Sequence, residues 1–360
     1  MALVDMNKTS ILYCIHVPWS WIKQRPHFLA EGLSRDYDLT VVDRAVFSKY
    51  TNNAKTVKLY HLFRVPFERL FIISIINNLL YRIQYFFIGR KKDWIWVTHP
   101  LQFANMGTWI NKKRVIYDCM DDMIALARDK REAERIEKYE RLLLKRADVI
   151  FSSSLYLKEH LIEKYGTREI VVVNNAITDR IASYGKSLPE SMQNLFDKSM
   201  TNLVYIGTIS SWFNFDLVYH LLNNNPRVVI NLFGPTEVNI PKHDRIQYLG
   251  SVEHQYITGI MDCSDALIMP FIVNDLIKAV NPVKLYEYIY SGKPCIAPDY
   301  GETRCFEPYV FLYESESDFV KIVNSIEAKN IVQKSLDECQ RFALSNTWDG
   351  RVEQIEAVLN

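Results

Sequence analysis

Lys284 and Glu287 are the two residues whose chemistry and spacing indicate a ligand-binding site most directly. Because they are three positions apart, they would lie on one face of a helix. Three further residues predict that helix: Asn281 is a favourable N-cap, Pro282 suits the first helical position, and Gly292 fits the left-handed position that ends a helix. The free N–H groups at the start of such a helix attract an anion, and a bound phosphate would meet Lys284.

The predicted helix needs a sheet to hold it in place. An apolar segment at 265–271 precedes it and predicts a strand, and a second short strand follows at 295–298. Leu285, Tyr288 and Ile289 share another face of the helix, which can pack on such a sheet. The helix therefore starts just past the carboxyl end of a strand, where open α/β sheets bind ligands. An ordinary crossover helix with a solvated lysine and glutamate is the alternative.

This arrangement resembles the nucleotide-sugar site of GT-B glycosyltransferases, in which a helix carrying a Lys and a Glu is followed by Gly-Lys-Pro, here at 292–294. The resemblance implies an α/β protein of two Rossmann-like domains facing a central cleft. It also implies that Lys284 neutralises the donor diphosphate and that Glu287 accepts hydrogen bonds from the ribose hydroxyls. One position departs from the pattern. Retaining members often carry a second Glu eight residues before the ribose Glu, and this chain has Ala279 there, which leaves the stereochemistry of transfer open.

Two loops complete the expected donor site. The small residues at 207–210 follow a predicted strand and let a backbone approach a diphosphate closely, as the corresponding loop does in similar enzymes. In GT-B enzymes the backbone that follows the strand predicted here at 246–249 contacts the base. The expected donor-binding residues are Gly207, Thr208, Ser251, Val252, Asn281, Lys284 and Glu287.

Three carboxylates, Asp118, Asp121 and Asp122, follow a strand predicted at 114–117. Close spacing of carboxylates at a strand end raises the pKa of one of them toward the range of a general base. Asp121 is the preferred catalytic base and Asp118 the second choice, and a similar Tyr-Asp-x-x-Asp-Asp motif occurs at this place in bacterial GT-B enzymes. The alternative is that Asp121 or Asp122 caps a helix through Ala125.

The expected acceptor-binding residues follow the first and third predicted strands, at the edge of the sheet that faces a ligand. They are Trp19, Arg25, His27 and His99. An Arg-Pro-His helix opening similar to that at 25–27 occurs in GT-B enzymes of polysaccharide assembly. The alternative is that Trp19 and Trp21 cover the sheet edge and Arg25 is a surface charge.

Composition, charge and missing motifs exclude several classes of function. A net charge of +1 gives no global electrostatic case for nucleic acid binding. The six cysteines form no C-x-x-C pair, and the chain opens without a signal-peptide pattern, so we expect free thiols and a cytoplasmic location. Neither a G-x-G-x-x-G nor a Walker pattern is present. The D-x-D of metal-dependent glycosyltransferases is also missing near Asp121, so we expect no metal and no cofactor besides the nucleotide-sugar substrate.

An apolar segment at 70–88 lies between basic residues, Arg64 and Arg69 before it and Arg90, Lys91 and Lys92 after it. Four polar residues inside the segment, at positions 77, 78, 82 and 84, argue against a membrane-spanning helix. The pattern predicts a helix that lies in an anionic membrane interface. A helix that merely covers the sheet is the alternative.

The domain organisation follows from these segments and the resemblance. We expect an acceptor-binding Rossmann-like domain at 1–178, a nucleotide-sugar-binding one at 200–345, and a helix at 346–360 that crosses back to the first domain. The expected reaction moves a sugar from a nucleotide-diphosphate donor, most commonly a UDP-sugar, to a hydroxyl of a glycan or lipid-linked saccharide in bacterial surface polysaccharide synthesis. The alternatives are a nucleotide-sugar epimerase of the same fold and a non-catalytic membrane-associated scaffold.

Overall fold

The computed structural model describes residues 8–20, 23–44, 57–67, 70–166, 169–179, 181 and 188–360. Trp21 and Arg69 lie outside the described residues. The chain divides into two units, one of Met1–Asn174 with Arg351–Asn360 and one of Asn175–Gly350. Just after the division, Ile177 forms a parallel bridge with Thr347 inside the second unit.

The first unit is built on a parallel sheet. Its described strands are β1 (Ser10–Cys14), β2 (Asp38–Arg44), β3 (Lys58–Leu62), β4 (Trp94–Val97), β5 (Arg114–Cys119), β6 (Val149–Ser152) and β7 (Val171–Val172). They lie in the order β3-β2-β1-β4-β5-β6-β7. The order reverses between β1 and β4, so their carboxyl ends form a ligand-binding position of an open sheet. The central strands β1, β4 and β5 are mainly apolar because both faces of the sheet are covered.

Five described helices accompany this sheet. They are α1 (Arg25–Leu33), α2 (Phe71–Gly89), α3 (Pro100–Ala104), α4 (Lys130–Arg146) and α5 (Leu155–Tyr165). Side-chain caps fix the starts of α4 and α5. Asp129 accepts a hydrogen bond from the Glu132 N–H at the start of α4, and Ser154 accepts one from the Leu157 N–H at the start of α5.

The second unit contains a parallel sheet of six described strands. They are β8 (Thr201–Ile206), β9 (Val228–Phe233), β10 (Ile246–Gly250), β11 (Ala266–Ile268), β12 (Cys295–Pro298) and β13 (Phe311–Tyr313). Their order is β10-β9-β8-β11-β12-β13, with the reversal between β8 and β11. Loops that follow β8 and β11 therefore meet where such a sheet binds ligands.

The described helices from residue 188 onward follow the same alternation. They are α6 (Glu190–Gln193), α7 (Phe215–Asn224), α8 (Ile257–Cys263), α9 (Asp275–Lys278), α10 (Val283–Tyr290), α11 (Gly301–Arg304), α12 (Glu316–Glu327), α13 (Leu336–Leu344) and α14 (Trp348–Leu359). From Arg351 on, α14 belongs to the first unit. There Val352 packs on Gly32, where an added Cβ would stand 2.4 Å from the valine side chain, and Arg114 donates to the Leu359 carbonyl (2.7 Å). Gly32 in α1 therefore allows α14 to pack closely against it.

All six cysteines are free thiols. Four of them are buried, whereas Cys305 is exposed.

Candidate active site

The helix that carries Lys284 and Glu287 is α10, and it begins one residue later than predicted. Pro282 is its N-cap, and the helix makes no side-chain cap hydrogen bond. The prediction that Asn281 caps the helix is therefore wrong. Asn281 is buried, and its amide donates to the carboxylate of Glu302 (3.1 Å) instead. At the other end Gly292 has a φ of 71°, which confirms the predicted left-handed position.

Asn281 still lies directly before the start of α10. Its carbonyl accepts a hydrogen bond from the side-chain amide of Asn175 (2.8 Å). Its own side-chain Oδ1 is buried without a hydrogen-bond partner. The residue thus retains one acceptor atom that a ligand or water could satisfy.

Lys284 lies on two aromatic rings at the carboxyl edge of the second sheet. Its Nζ is 4.7 Å from the ring centre of Tyr205 and 4.6 Å from that of Phe271, and it donates a hydrogen bond to the Tyr205 hydroxyl (3.1 Å). Among the described residues no ion pair involves Lys284. Burial lowers the pKa of Lys284 to about 7, and the Glu287 charge opposes that shift. The ammonium group is therefore held in place without an anionic partner at bonding distance.

Glu287 follows one turn later on α10, with 19% of its side chain exposed. Burial raises the pKa of Glu287 to about 7, while the Lys284 charge acts to lower it. The nearest cationic candidate is His254, whose Nε2 is 4.0 Å from a carboxylate oxygen of Glu287. A carboxylate at this position can accept hydrogen bonds from sugar hydroxyls.

Backbone from β8 and β9 comes close together beside Lys284. Gly207 has a φ of 150° and Gly234 a φ of 129°, values that favour glycine. A Cβ at Gly234 would stand 2.2 Å from the Gly207 carbonyl oxygen, and one at Gly207 would stand 3.0 Å from Lys284 Nζ. Only glycine therefore lets the ammonium group and both loops meet here.

The neighbouring loops hold the other predicted donor residues. The Thr208 carbonyl accepts a hydrogen bond from the Tyr205 hydroxyl (2.7 Å), so this loop and Lys284 share one anchor. Ser251 is exposed and Val252 half-buried, directly after β10. The Gly250 carbonyl accepts from the Gly234 N–H (2.8 Å), which ties the β10 loop to the β9 loop.

Asp118 lies inside β5, which runs two residues further than predicted. Its carboxylate is fully buried and accepts two hydrogen bonds from Arg25, from Nη2 at 2.9 Å and Nε at 3.3 Å. Arg25 is also buried and donates to the Val173 carbonyl (2.6 Å). The interpretation of Arg25 as a surface charge is therefore wrong, and the pair joins α1 to β5 and to the end of β7.

Asp121 and Asp122 follow β5 and differ in their hydrogen bonds. Asp122 accepts hydrogen bonds from the backbone N–H groups of Ile124 (3.0 Å) and Ala125 (2.9 Å), and it caps a turn, because residues 123–126 do not form the helix considered from the sequence. No hydrogen bond to the Asp121 carboxylate occurs within the described part of the chain.

Burial raises the pKa of Asp121 to about 6. The Arg25 charge lowers this pKa, and the charges of Asp118 and Asp122 raise it. Asp121 is thus a carboxylate with free acceptor atoms and a pKa suited to proton transfer near neutrality.

Trp19 and His27 contact each other, with ring centres 4.9 Å apart, and both are buried. The Trp19 N–H donates to the buried carboxylate of Asp43 (2.7 Å), and Nδ1 of His27 accepts from the Gln24 N–H (3.1 Å). Burial lowers the pKa of His27. These contacts give both residues a role in fixing the loop between β1 and α1.

His99 caps α3, its Nδ1 accepting from the Leu101 N–H (3.0 Å). Sequence reasoning missed its neighbour His16, whose ring centre is 5.7 Å away and whose Nδ1 hydrogen-bonds the Thr98 hydroxyl (2.9 Å). Burial lowers the pKa of His16 to about 4 and that of His99 to about 3. Both imidazoles are therefore neutral near pH 7. The position of His16 two residues after β1 could have indicated it.

Tyr205 and Phe271 were also missed. Both lie in apolar segments that predict core strands, so the sequence does not distinguish a ring that supports Lys284 from an ordinary core ring. As for metals, the described residues contain no group of three or more His, Cys, Asp or Glu side chains that could hold an ion.

Comparison with known proteins gives one curated relative and several structural neighbours. No family model matches the chain. It is 24% identical over 282 residues to TuaH of Bacillus subtilis strain 168, named as a teichuronic acid biosynthesis glycosyltransferase, over 72% of this chain and 70% of that protein. Sucrose-phosphate synthase from Thermosynechococcus elongatus matches with a TM-score of 0.74 at 11% identity, over 98% of both chains. Anabaena HepE, solved with UDP-glucose, matches with a TM-score of 0.72 at 14% identity, over 97% of this chain and 99% of that one.

The predicted fold is confirmed: the chain has the GT-B fold, with two parallel-sheet α/β units. The resemblance to glycosyltransferases and the expected enzyme class are confirmed as well.

Proposed function

We propose that this glycosyltransferase moves a sugar from a nucleoside-diphosphate donor, bound by the second unit, to a hydroxyl of a glycan or lipid-linked saccharide bound by the first unit. The acceptor oxygen attacks the anomeric carbon, its proton passes to Asp121, and the bond from the anomeric carbon to the diphosphate oxygen breaks. The leaving diphosphate keeps the electron pair of the broken bond, and the ammonium group of Lys284 neutralises its negative charge.

The observation that carries the proposal is the place of Lys284. Its ammonium group lies beside the Gly207 backbone, supported by two aromatic rings and without an ion-pair partner in the described residues. An anion that arrived there would gain a charge-assisted hydrogen bond and the free N–H groups at the start of α10. Transition-state charge develops on the same diphosphate, so the ground-state contact also stabilises the leaving group.

We propose a uridine nucleotide as the donor. The support is that HepE, a structural neighbour, was solved with UDP-glucose. The name of TuaH, which refers to teichuronic acid biosynthesis, supports a surface polysaccharide as the product. Ser251 and Val252 would contact the base through their backbone, and Glu287 would accept hydrogen bonds from the ribose.

We propose that the reaction needs no metal, since Lys284 and the start of α10 can neutralise a diphosphate, and no D-x-D lies near the proposed base Asp121. The test is activity in excess chelator: unchanged turnover agrees with the proposal, and loss that Mg²⁺ or Mn²⁺ restores contradicts it.

We propose a cytoplasmic location at the inner face of the membrane. Lipid-linked acceptors would be reached there, and the exposed apolar side chains of α2 support a peripheral contact through residues 70–88. Trp19, Arg25, His27 and His99 would shape the acceptor site, with Arg25 acting through the loop that it holds.

A thermal-shift screen against nucleoside diphosphates and nucleotide sugars tests the donor proposal. A ligand that binds only the folded state at a hundred times its Kd stabilises by about 2.7 kcal/mol, so a true donor should raise the Tm clearly. The hit is then incubated without acceptor. Interconversion of free nucleotide sugars would identify the alternative epimerase, slow hydrolysis agrees with a transferase, and a screen without any hit would favour the scaffold.

A further inference from the structure

Helix α2 buries polar residues and exposes apolar ones, which is the reverse of an ordinary core helix. The residues that it buries against the first unit include Asn77, Tyr81, Tyr85 and Gly89. Gly89 packs tightly there, since a Cβ would stand 2.4 Å from the Trp109 ring. In a helix that only covers a sheet, the apolar face would be the buried one.

The outward face of α2 is apolar along its whole length. It carries Phe71 (80% exposed), Ile72 (69%), Ile75 (53%), Ile76 (40%), Leu79 (58%), Ile83 (45%), Phe86 (39%) and Phe87 (61%). Their spacing of three and four residues places them on one side of the helix. Two more exposed rings, Phe63 and Phe67, lie just before it. Contiguous apolar surface of this extent marks an interaction site.

Hydrogen bonds hold α2 in this orientation. The side-chain amide of Asn77 accepts from the Val65 N–H (2.8 Å) and donates to the Val65 carbonyl (2.9 Å). Gln84 makes the same two bonds to Phe63, at 2.8 and 3.0 Å. The segment before the helix is thus bonded to it at two points, about two turns apart, and the apolar face is preformed.

The charged residues of α2 and of the two positions after it are all positive. Arg82 is the single charged residue of α2, which contains no acidic residue. At the end of the helix Arg90 lies over the rings of Phe86 (5.8 Å) and Phe87 (5.4 Å), and the exposed Lys91 follows. Cations beside exposed aromatic rings suit a surface where apolar chains lie below anionic headgroups.

We propose that α2 is a docking helix that lies flat on an anionic lipid bilayer, with its apolar face in the boundary between headgroups and acyl chains. The inference rests on the proposed function in one respect, since a lipid-linked acceptor would bring the enzyme to such a surface. Phe71, Leu79 and Phe87 enter the bilayer, while Arg82, Arg90 and Lys91 meet the headgroups.

A spanning helix fits the structure less well. By length and composition α2 could cross a membrane, and it is the one described helix that could. Its 19 residues extend about 28 Å, close to the hydrocarbon thickness. Crossing would break the bonds of Asn77 and Gln84 and place Tyr81 and Tyr85 in lipid, where polar groups without partners are costly.

A second copy of this chain fits less well too. A two-fold dimer brings the same surface of each copy together. Across the α2 face that arrangement would place Arg82 and Arg90 of both copies close to each other, without an acidic residue of α2 to compensate them. An anionic bilayer compensates these charges.

Vesicle flotation of the full chain tests the proposal, with vesicles of equal parts phosphatidylglycerol and phosphatidylcholine and with pure phosphatidylcholine. We expect binding to the anionic vesicles only. The triple variant Phe71→Ser, Ile75→Ser, Leu79→Ser should reduce the partition coefficient at least about a hundredfold, because three apolar side chains no longer leave water. The control Leu142→Ser, Leu155→Ser, Ile162→Ser changes three apolar side chains on α4 and α5 that are also exposed, though less so, and should bind like the parent.

A second variant tests the contribution of the positive charges separately from that of the apolar face. Arg82→Gln, Arg90→Gln, Lys91→Gln leaves the apolar face intact and should lower binding by on the order of a hundredfold, about fivefold for each charge. Failure of the parent to float with anionic vesicles overturns the proposal. So does retention after alkaline carbonate extraction, which indicates spanning, or a concentration-dependent dimer that the serine variant abolishes.

These results are independent of the proposed enzyme activity. Flotation needs no nucleotide sugar, and the thermal-shift screen needs no vesicle. Nucleotide binding without flotation would reject the docking helix alone, whereas flotation without nucleotide binding would reject the donor site alone.

Discussion

Two cations at the carboxyl edges of the two sheets differ in how the protein compensates their charge. Arg25 in the first unit is buried against Asp118 and donates to a backbone carbonyl as well. Lys284 in the second unit lies on the rings of Tyr205 and Phe271 and forms no ion pair with a described residue. Of the two cations, only Lys284 lacks an anionic partner among the described residues, and for this reason we propose Lys284 and not Arg25 as the residue that binds the diphosphate.

The carboxylates of the first unit repeat this difference within one segment. Asp118 is bonded to Arg25, and Asp122 caps a turn, whereas Asp121 makes no hydrogen bond through its carboxylate with any residue that the structure describes. We infer that Asp118 and Asp122 maintain the fold and that Asp121 is the carboxylate available to a substrate. The predictions for the first unit separate these two roles by comparing a loss of stability with a loss of activity, and those for the second unit compare binding affinities.

The largest effect is expected for Asp121→Asn. Removing a general base should lower turnover by about 10²–10⁴, with the free energy of unfolding and the donor affinity nearly unchanged. In the parent, turnover should rise with pH and level off above the pKa of about 6, because only the ionised carboxylate accepts a proton.

Asp122→Asn is the matched control for this change, since it alters a turn cap one residue away. It should cost little stability and little turnover, because the side-chain oxygen of Asn can accept the same two N–H hydrogen bonds. Turnover of Asp121→Asn equal to that of the parent would remove Asp121 from the mechanism, and a matching loss in Asp118→Asn, measured on protein shown to be folded, would transfer the role to Asp118.

The next largest effect is expected on the stability contributed by the buried ion pair of Arg25 and Asp118. Arg25→Met should lower the free energy of unfolding by about 3–5 kcal/mol, since it leaves the Asp118 carboxylate buried without its partner. The control Arg128→Met removes an exposed ion pair, whose arginine is 73% exposed, and should cost less than about 1 kcal/mol. Chemical denaturation measures both variants. A stable Arg25→Met that has lost only acceptor affinity would instead make Arg25 a ligand-binding residue.

The paired groups also show which features could be predicted from the sequence and which could not. Alternating apolar strands and helices, Gly292 and the Lys284–Glu287 spacing were enough to predict the α/β fold and the helix, because these depend on local periodicity. The partner of Arg25 was not predictable, because Asp118 is 93 residues away in sequence and the two meet only through the sheet order. For the same reason Asn281 could not be recognised as a partner of Glu302, and its role as a cap was predicted instead.

A smaller effect is expected at the donor site. Lys284→Ala should weaken nucleoside-diphosphate binding by about 1.5–3 kcal/mol, the contribution of a hydrogen bond to a charged group. Lys278→Ala, one helix earlier and paired with Asp275 at the surface, is the matched control and should bind like the parent. Isothermal titration calorimetry measures both. Equal affinity in Lys284→Ala would show that the donor assignment is wrong.

The smallest effect is a proton taken up on donor binding. The unliganded Lys284 has a pKa of about 7, so at pH 8 most molecules carry it neutral. A bound diphosphate favours the charged form and raises this pKa, and Lys284 then takes a proton from the buffer. Above pH 7 the affinity should fall by up to about tenfold per pH unit, because the neutral form must first be protonated.

Glu287 is the other group that titrates in this range, with a pKa of about 7. At pH 8 it is already ionised, so hydrogen bonds from ribose hydroxyls would release few protons there, and uptake by Lys284 should dominate. Calorimetry at pH 8 in two buffers of different ionisation enthalpy measures the net uptake. We expect Glu287→Gln to retain it and Lys284→Ala to lose it. A binding enthalpy independent of the buffer in the parent would mean that Lys284 is already charged before the donor arrives, and the two cations would then differ only in their partners and not in their protonation.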